Sequence, residues 1–263
     1  LWSPRGSWVA RVERARATRI LSRAARVVVT SPLTQAGMQQ RFPDARFVTI
    51  TNGLTLDESI IPLRETAPDK CLFRYIGVLN ERRKPDPLLE GWAIACRTPG
   101  FRNKVHLEFV GGMAGHERSI ERLGLGDVVS SRGRVSFEDS LRLMRGSDVN
   151  VVLQTIDEGQ DVIAGKTFEY LAAGKPVLGV VSEQGGDAWL LRRVGGTHLA
   201  GYHDPERIAV AIRACVQDFE RGAPGPEREQ LRAFDRRRLT GTLAQLMHEV
   251  LLETREGTRR PTT

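Results

Sequence analysis

The sequence is poor in cysteine and in aromatic residues, and it has no long hydrophobic run. Its three cysteines, Cys71, Cys96 and Cys215, lie far apart in apolar segments. This excludes a disulfide framework or a cysteine-rich metal cluster and fits a reducing cytoplasm. No apolar run approaches the roughly 20 residues that a transmembrane helix needs. Aromatic residues make up 6% of the chain and do not alternate with its basic runs, so a nucleic-acid-binding surface is disfavoured.

The two ends of the sequence are rich in arginine. Residues 1–6 are not a methionine followed by an apolar segment, so we predict no targeting peptide and expect the interior of a longer protein. The net charge is +7, and arginines are concentrated in residues 5–26 and 228–260. Such segments bind phosphate-rich ligands or an anionic membrane surface, or they are solvated helix faces. For most individual arginines we expect the solvated face.

Short apolar strands alternate with amphipathic helices through most of the chain. The periodicity predicts strands over residues 27–30, 47–50, 71–76, 105–110, 128–130, 149–153, 176–181 and 197–200. It predicts helices over residues 9–24, 33–41, 87–97, 115–123, 137–145, 166–173, 187–193, 205–219 and 225–256, the last interrupted near Asp235 and Gly241. This alternation predicts an α/β fold in which helices cover both faces of a parallel sheet.

The regular alternation is confined to part of the sequence, which we divide into four segments. Residues 54–69 lack clear periodicity and contain Pro62 and Pro68, which is typical of a linker between domains. Residues 70–220 are predicted to form one Rossmann-like domain. Residues 1–53 hold a shorter helix–strand–helix–strand pattern, and residues 221–263 are predicted to form C-terminal helices and a tail.

A basic turn follows the first strand of the regular region. Gly77 ends the strand and lets a ligand approach the main chain. Three consecutive cations, of which Arg83 and Lys84 are the last two, then precede a helix that begins near Pro85. Ligands of open parallel sheets bind at the carboxyl ends of the strands, and cations beside a helix N-terminus suit a diphosphate. An ordinary solvated turn explains this motif equally well when it is taken alone.

A second motif runs from Gly165 to Leu178. Because Gly165 precedes a helix, the N–H groups of Lys166, Thr167 and Phe168 are expected to be free and to form an anion site. Glu169 lies in the first turn of this helix. Its carboxylate has two interpretations, a cap of its own helix or an acceptor for ribose hydroxyls.

Two further loops follow strands of the predicted sheet. Residues 154–161 carry Asp157, Glu158 and Asp161, whose carboxylates could bind sugar hydroxyls or be solvated. For Asp157 and Glu158 we favour the solvated loop. Residues 133–136 connect a strand to a helix, and their main-chain groups could hydrogen-bond the edge of a base or form an ordinary turn.

In this order, the segments resemble the C-terminal half of the bacterial retaining GT-B glycosyltransferases known as the glycosyl transferases group 1 family. The resemblance covers residues 25 to about 220, and its most specific part is the run from Lys166 to Leu178. The other motifs gain weight from their order: Val29-Thr30-Ser31, Asn52-Gly53, Tyr75-Ile76-Gly77, Phe109-Val110-Gly111, Gly133-Arg134-Val135-Ser136 and Ser147-Asp148-Val149. The resemblance implies that residues 70–220 bind a nucleotide-sugar donor. It also implies that residues 1–53 are the last part of an N-terminal acceptor domain that is largely missing, onto which the helix over residues 236–256 would cross back.

The resemblance implies a role for each motif of the predicted site. Lys84 and Arg83 would contact the donor diphosphate, and the amides of Thr167 and Phe168 would face a phosphate. Glu169 matches the second glutamate of the family's E-x7-E motif and would bind the ribose.

Two of the implied contacts lie elsewhere in the chain. Arg134 and Val135 would flank the base through their main-chain groups, and Asp161 stands where the family has the first glutamate of E-x7-E, one methylene shorter. The sequence also departs from the family at Val78, where an arginine often follows the glycine. Arg82 or Arg83 could replace that cation.

The expected activity follows from this resemblance. A hydroxyl acceptor would attack the donor sugar with retention, without metal or other cofactor, while cations stabilise the departing nucleotide diphosphate. The expected setting is cytoplasmic synthesis of a cell-surface polysaccharide or glycolipid, with no nucleic-acid partner. Residues 5–26 and 228–238 could steer the protein to the inner face of a membrane that carries a lipid-linked acceptor, or they could be solvated.

Three other interpretations are compatible with the same motifs. The chain could be a non-catalytic fragment that binds a nucleotide sugar, or an epimerase built on the GT-B scaffold. A flavodoxin-like or other nucleotide-binding domain is the third, and the run from Lys166 to Leu178 argues against it.

Overall fold

The computed structural model describes residues 8–56, 59–63, 69–80, 83–113, 115–154 and 160–258. Its elements in chain order are α1 (Trp8–Arg23), β1 (Val27–Val29), α2 (Pro32–Arg41), β2 (Phe47–Thr49), β3 (Cys71–Ile76), α3 (Asp86–Ala95), β4 (Val105–Val110), α4 (Glu117–Arg122), β5 (Val129–Arg132), α5 (Phe137–Arg145), β6 (Val149–Leu153), α6 (Gly165–Ala172), β7 (Val177–Val181), α7 (Gly186–Val194), β8 (Thr197–Gly201), α8 (Pro205–Glu220), α9 (Arg228–Arg232) and α10 (Arg236–Thr258). A short 3₁₀ helix, Phe101–Lys104, precedes β4. The chain divides into two compact units, Leu1–Asn52 with Arg236–Thr263 and Gly53–Asp235.

The first unit has a small core between helices and a two-stranded parallel sheet. Strands β1 and β2 pair in register from Val27 opposite Phe47, and Phe47 is buried with Phe42 and Ala45. Ser31 caps α2, because its hydroxyl accepts a hydrogen bond from the Leu33 N–H at 3.2 Å.

Helix α10 in the first unit differs from its prediction. We expected an interruption near Gly241, but the helix runs without a break from Arg236 to Thr258. An interior glycine costs a helix only about 1 kcal/mol relative to alanine, which the neighbouring turns of a long helix can absorb. The other predicted interruption is correct, since α9 ends at Arg232 and α10 begins at Arg236.

The second unit is built on a six-stranded sheet, in the order β5-β4-β3-β6-β7-β8, with every neighbouring pair parallel. Helices cover both faces. One face packs around Phe73, Trp92 and Ile212, and the other around Phe168 and Leu190. The prediction of an α/β domain with a doubly covered parallel sheet is therefore confirmed.

Two elements have bounds in the structure that differ from the predicted ones. The helix expected over residues 115–123 begins only at Glu117, because Gly115 has a φ of 90° that an α-helix cannot contain. The strand expected over residues 128–130 is Val129–Arg132, and it pairs with β4 along its whole length.

A buried charge network crosses three neighbouring strands. Arg74 of β3 is fully buried, and its Nε donates to Glu108 Oε2 of β4 at 2.6 Å. Glu108 Oε1 accepts from Arg132 Nε of β5 at 2.7 Å. Arg74 Nη1 also donates to the carbonyls of Leu63, at 3.1 Å, and Leu143, at 3.0 Å. The latter lies in the last turn of α5, where a helix favours positive charge. The network thus joins the sheet to α5 and to the segment that precedes β3.

Candidate functional site

The strand order reverses in direction between β3 and β6. From the adjacent strands β3 and β6 the chain winds outward to opposite edges of the sheet, β4 and β5 on one side and β7 and β8 on the other. In sheets of this kind the connections separate at the carboxyl ends of the two central strands and leave a crevice there. The predicted ligand-binding residues Gly77 and Lys166 lie at this edge, after β3 and at the start of α6.

The end of β3 is bound to α6 through the main chain of Ile76. The Ile76 carbonyl accepts a hydrogen bond from Lys166 Nζ at 2.5 Å and another from the Tyr170 hydroxyl at 3.1 Å. The Ile76 N–H donates to the same hydroxyl at 2.7 Å. Burial raises the pKa of Tyr170, which therefore stays a neutral phenol. These bonds fix the Lys166 ammonium beside the last residue of β3.

A second cation, Arg83, lies beside the same strand end. Its main-chain N–H donates to Asn80 Oδ1 at 2.9 Å, which closes the turn after β3. Burial raises the pKa of the Tyr75 hydroxyl, and the charge of the Arg83 guanidinium opposes this shift. Arg83 Nε is buried and has no hydrogen-bond partner among the residues that the structure describes. It is therefore a donor that a ligand could satisfy.

The charges of Arg83 and Lys166 act on one another. The pKa of Lys166 is lowered, first by burial and then by the Arg83 guanidinium, while Glu169 on the next turn of α6 opposes the shift. Lys166 hydrogen-bonds a neutral carbonyl rather than a carboxylate. Two cations that repel each other at the carboxyl edge of a sheet form a site for a multiply charged anion.

Two glycines let the main chain pass close to these groups. A Cβ atom on Gly77 would lie 2.9 Å from the Tyr75 hydroxyl oxygen and 3.0 Å from Lys166 Nζ. Gly111, after β4, has a φ of 119°, and a Cβ there would lie 2.5 Å from the Gly77 carbonyl oxygen. Any side chain at Gly111 would therefore push the main chain of the site out of place.

We expect Gly111→Ala to destabilise the second unit by about 1–3 kcal/mol more than Gly112→Ala, because only the former adds a steric clash. Gly112 is a matched control, since its φ is also positive, at 96°, but a Cβ there meets nothing within 4 Å. The measurement is urea unfolding followed by the fluorescence of the fully buried Trp92. Equal losses in the two variants would contradict the close approach of Gly111 to Gly77.

The start of α6 differs from the prediction that its first amides are free. The Thr167 N–H donates to the Ala164 carbonyl at 3.0 Å, so this amide is already occupied and the expectation is wrong for Thr167. The Thr167 side chain is buried and its hydroxyl donates to Asp187 Oδ1 at 2.6 Å. Helix α6 therefore starts with a tight turn, and Asp187 of α7 is hydrogen-bonded to this turn.

Asp187 is a residue of this site that the sequence interpretation did not single out. It is fully buried in the first turn of α7, and its Oδ1 also accepts from the Ala164 N–H at 3.0 Å. A lone aspartate at a helix start usually caps its own helix. The sequence therefore offered no direct sign that Asp187 bonds another helix. Gly185-Gly186 before it could have been the signal, because a Cβ on Gly186 would lie 2.8 Å from the Asp161 carbonyl oxygen.

The remaining predicted residues lie at the same edge with varied exposure. Glu169 is half-buried on α6 and close enough to raise the pKa of Lys166. Lys84 is exposed, and its carbonyl accepts from the Tyr202 hydroxyl at 2.8 Å. Asp161 is exposed in the turn before α6. Phe168 is buried in the core, so that only its main chain could meet a ligand.

The proposed base contacts follow β5, two strands away from β3. Arg134 is exposed, whereas Val135 is half-buried and packs against the core on the α6 face. Asp157, Glu158 and Arg82 lie outside the described residues. The structure therefore brings Gly77, Arg83, Lys166 and Glu169 together, and it places the other residues around them along the edge.

The residues that the structure describes offer neither a cluster of metal ligands nor a membrane-spanning helix. No group of three or more potential metal-binding side chains lies together in that part of the chain. None of the helices that the structure describes is both long and apolar enough to cross a bilayer.

The strand order, the helices on both faces and the site at the reversal point define a Rossmann-like domain of the GT-B glycosyltransferase type. The family model described as glycosyl transferases group 1 matches residues 70–218. This is more than half of the chain, and the chain therefore belongs to the glycosyl transferases group 1 family. A comparison with curated protein sequences gives no match.

Solved structures with the same fold are distant in sequence. The chain is similar to a sucrose-phosphate synthase from Thermosynechococcus elongatus, with a TM-score of 0.71 and 20% identity over 94% of this chain and 64% of that one. It is similar to Anabaena HepE in complex with UDP and glucose, with a TM-score of 0.69 and 19% identity over 90% of this chain and 67% of that one. It is also similar to the pneumococcal O-GlcNAc transferase GtfA in complex with UDP and GlcNAc, with a TM-score of 0.64 and 15% identity over 91% of this chain and 47% of that one. The chain thus spans about two thirds or less of these proteins.

Proposed function

We propose that the chain is the donor-binding part of a glycosyltransferase that moves a sugar from a nucleotide diphosphate to a hydroxyl acceptor. The observation that carries the proposal is the Lys166 ammonium held at the Ile76 carbonyl beside Gly77, at the reversal point of the sheet, where the charge of Arg83 also acts on it. Membership of the glycosyl transferases group 1 family supports it. The structures of HepE and GtfA, which were solved with UDP and a sugar, support a nucleotide sugar as the donor.

The proposed mechanism rests on charge. As the bond between the sugar and the diphosphate breaks, negative charge grows on the leaving oxygen. Arg83 and Lys166 stabilise it, because cations positioned where charge develops act most strongly in the transition state. The acceptor hydroxyl attacks the sugar, with retention and without a metal ion, and passes its proton to the departing diphosphate. In this proposal Glu169 binds the ribose, Arg134 and Val135 flank the base, and Asp161 contacts the sugar.

Titration of the chain with UDP, GDP and ADP tests the donor site, and UMP is the matched control that lacks the second phosphate. We expect a diphosphate to bind at least about tenfold more tightly than its monophosphate, because the second phosphate is the group that meets the two cations. Equal affinity for the preferred diphosphate and its monophosphate, or binding of none of the three diphosphates, would overturn the proposal. Product analysis with the preferred nucleotide sugar then separates the alternatives. Binding without turnover indicates a non-catalytic module, and conversion of the donor without acceptor indicates an epimerase.

We further propose that the acceptor belongs to the synthesis of a cell-surface polysaccharide or glycolipid, with the protein working at the inner face of a membrane. Helix α1 supports a peripheral contact, since it has five arginines and only one acidic residue. Its apolar residues Trp8 and Ile20 are 71% and 66% exposed. Arginine combined with exposed tryptophan and isoleucine is typical of helices that lie on an anionic bilayer.

Co-sedimentation with vesicles of anionic phosphatidylglycerol or neutral phosphatidylcholine tests this contact. We expect binding to the anionic vesicles only, weakened by salt, and lost in the double variant Arg16→Glu with Arg19→Glu. The matched control is Arg97→Glu with Arg118→Glu, which makes the same charge change at exposed positions outside the basic segments. Equal loss in the two variants, or binding that salt does not change, would count against a membrane role for α1.

A further inference from the structure

The Lys166 ammonium is held in the donor site by the first turn of α6, and that turn is itself bonded to a buried carboxylate. Asp187 Oδ1 accepts from both the Ala164 N–H, at 3.0 Å, and the Thr167 hydroxyl, at 2.6 Å. These two residues flank Gly165 and Lys166 in the sequence. One oxygen atom therefore fixes the main chain on both sides of the residue that carries the cation.

The second oxygen of Asp187 has a different environment. Oδ2 is buried and has no hydrogen-bond partner among the residues that the structure describes. A buried carboxylate oxygen without a partner is unfavourable unless nearby positive charge offsets its desolvation. Asp187 lies in the first turn of α7 and bonds the start of α6, so the positive ends of two helix dipoles point towards it.

Arg83 supplies further positive charge. Burial raises the pKa of Asp187, while the Thr167 hydroxyl, the Ala164 N–H and the Arg83 guanidinium act in the opposite direction. These three groups favour the charged form of the carboxylate that bonds the turn carrying Lys166.

We propose that Asp187 is the positioning residue of the donor site, where its carboxylate fixes the first turn of α6, which carries Lys166. The proposal rests on the proposed function for its ligand, a nucleoside diphosphate. Asp187 does not touch that ligand and acts through Lys166.

The test compares Asp187→Asn with Asp148→Asn by titration with UDP and with inorganic pyrophosphate. Asparagine keeps the shape and the Oδ1 acceptor but removes the charge. Asp148 is the matched control, because its Oδ2 accepts from the Leu72 N–H at 2.8 Å near the opposite end of β3, in the same unit. We expect Asp187→Asn to weaken binding of both ligands about tenfold, since a small displacement of a positioned group costs affinity. We expect Asp148→Asn to change binding less than twofold, even if it lowers the melting temperature as much as Asp187→Asn does.

A ligand-independent measurement keeps this proposal separate from the proposed function. Hydrogen exchange of the amides of residues 164–168 should accelerate in Asp187→Asn, because a neutral amide oxygen accepts more weakly than a carboxylate. It should also accelerate in Thr167→Val, which replaces the hydroxyl with a methyl group, and should not accelerate in Asp148→Asn. If the unchanged protein binds neither UDP nor pyrophosphate, the proposed function fails. The positioning role is then tested by the hydrogen-exchange measurement alone. Unchanged exchange at residues 164–168 in Asp187→Asn would overturn that role. So would a loss of affinity no greater than that of Asp148→Asn.

Discussion

Replacing Lys166 with methionine is expected to weaken UDP binding by about 10- to 150-fold, which corresponds to the 1.5–3 kcal/mol of a hydrogen bond to a charged group. Methionine keeps the length and the apolar stem of the side chain but removes the ammonium that lies at the end of β3. Because the lost interaction is with phosphate, UMP affinity should fall less than UDP affinity. Isothermal titration calorimetry at fixed salt measures both.

Lys84→Met is the matched control for this prediction. Lys84 follows Arg83 directly and is exposed, as is Lys166. Because it is the Lys166 ammonium that bonds the Ile76 carbonyl at the end of β3, we expect the loss of Lys84 to change UDP affinity much less than the loss of Lys166. Arg83→Met should resemble Lys166→Met, since both cations lie beside Gly77. If Lys84→Met has the largest effect of the three, the diphosphate lies over the exposed part of the turn, and the assignment of Lys166 is wrong.

Replacing Glu108 with glutamine is expected to lower the free energy of unfolding of the second unit by about 3–5 kcal/mol, the usual cost of removing one partner from a buried ion pair. Glu108 lies between the guanidinium groups of Arg74 and Arg132. Without its charge, Arg74 stays fully buried with no counter-ion. Urea unfolding followed by Trp92 fluorescence measures the change.

The double variant Arg74→Met with Glu108→Leu is the control for the Glu108 prediction. It buries no charge, and Arg132, whose side chain is 33% exposed, can turn towards solvent. We therefore expect it to be more stable than Glu108→Gln, although it loses the bonds from Arg74 to the Leu63 and Leu143 carbonyls. A double variant that is less stable than Glu108→Gln would show that those carbonyl bonds, rather than the charge balance, hold α5 on the sheet.

Much of the fold could be predicted from the sequence because it depends on local patterns. Buried parallel strands are continuous apolar runs, such as Val149–Leu153, and glycine or a capping side chain marks the ends of the helices between them. Ser136 illustrates this, since its hydroxyl accepts from the Asp139 N–H at 3.0 Å as the capping pattern predicts. Arg74 did not fit such a pattern, because its counter-ion lies 34 positions away in the sequence.

The site was predicted only in part, for the same physical reason. The types of residue and their order indicated a phosphate site, and Gly77, Arg83 and Lys166 do meet in the structure. The bond from Lys166 to the Ile76 carbonyl joins residues 90 positions apart. It depends on how α6 packs on the sheet, which the sequence pattern does not reveal. The role of Asp187 depends on the approach of α7 to α6, which no spacing within either helix reveals.

The carbonyl that holds Lys166 has a consequence for the speed of ligand capture. An ammonium group paired with a carboxylate would have to break a charge–charge attraction before it could meet a phosphate. The oxygen of Ile76 carries only a partial charge, and it keeps the Tyr170 hydroxyl as a donor after the lysine has left. Exchange of partners should therefore add little to the activation barrier, and association of a diphosphate should approach the rate set by electrostatically steered diffusion.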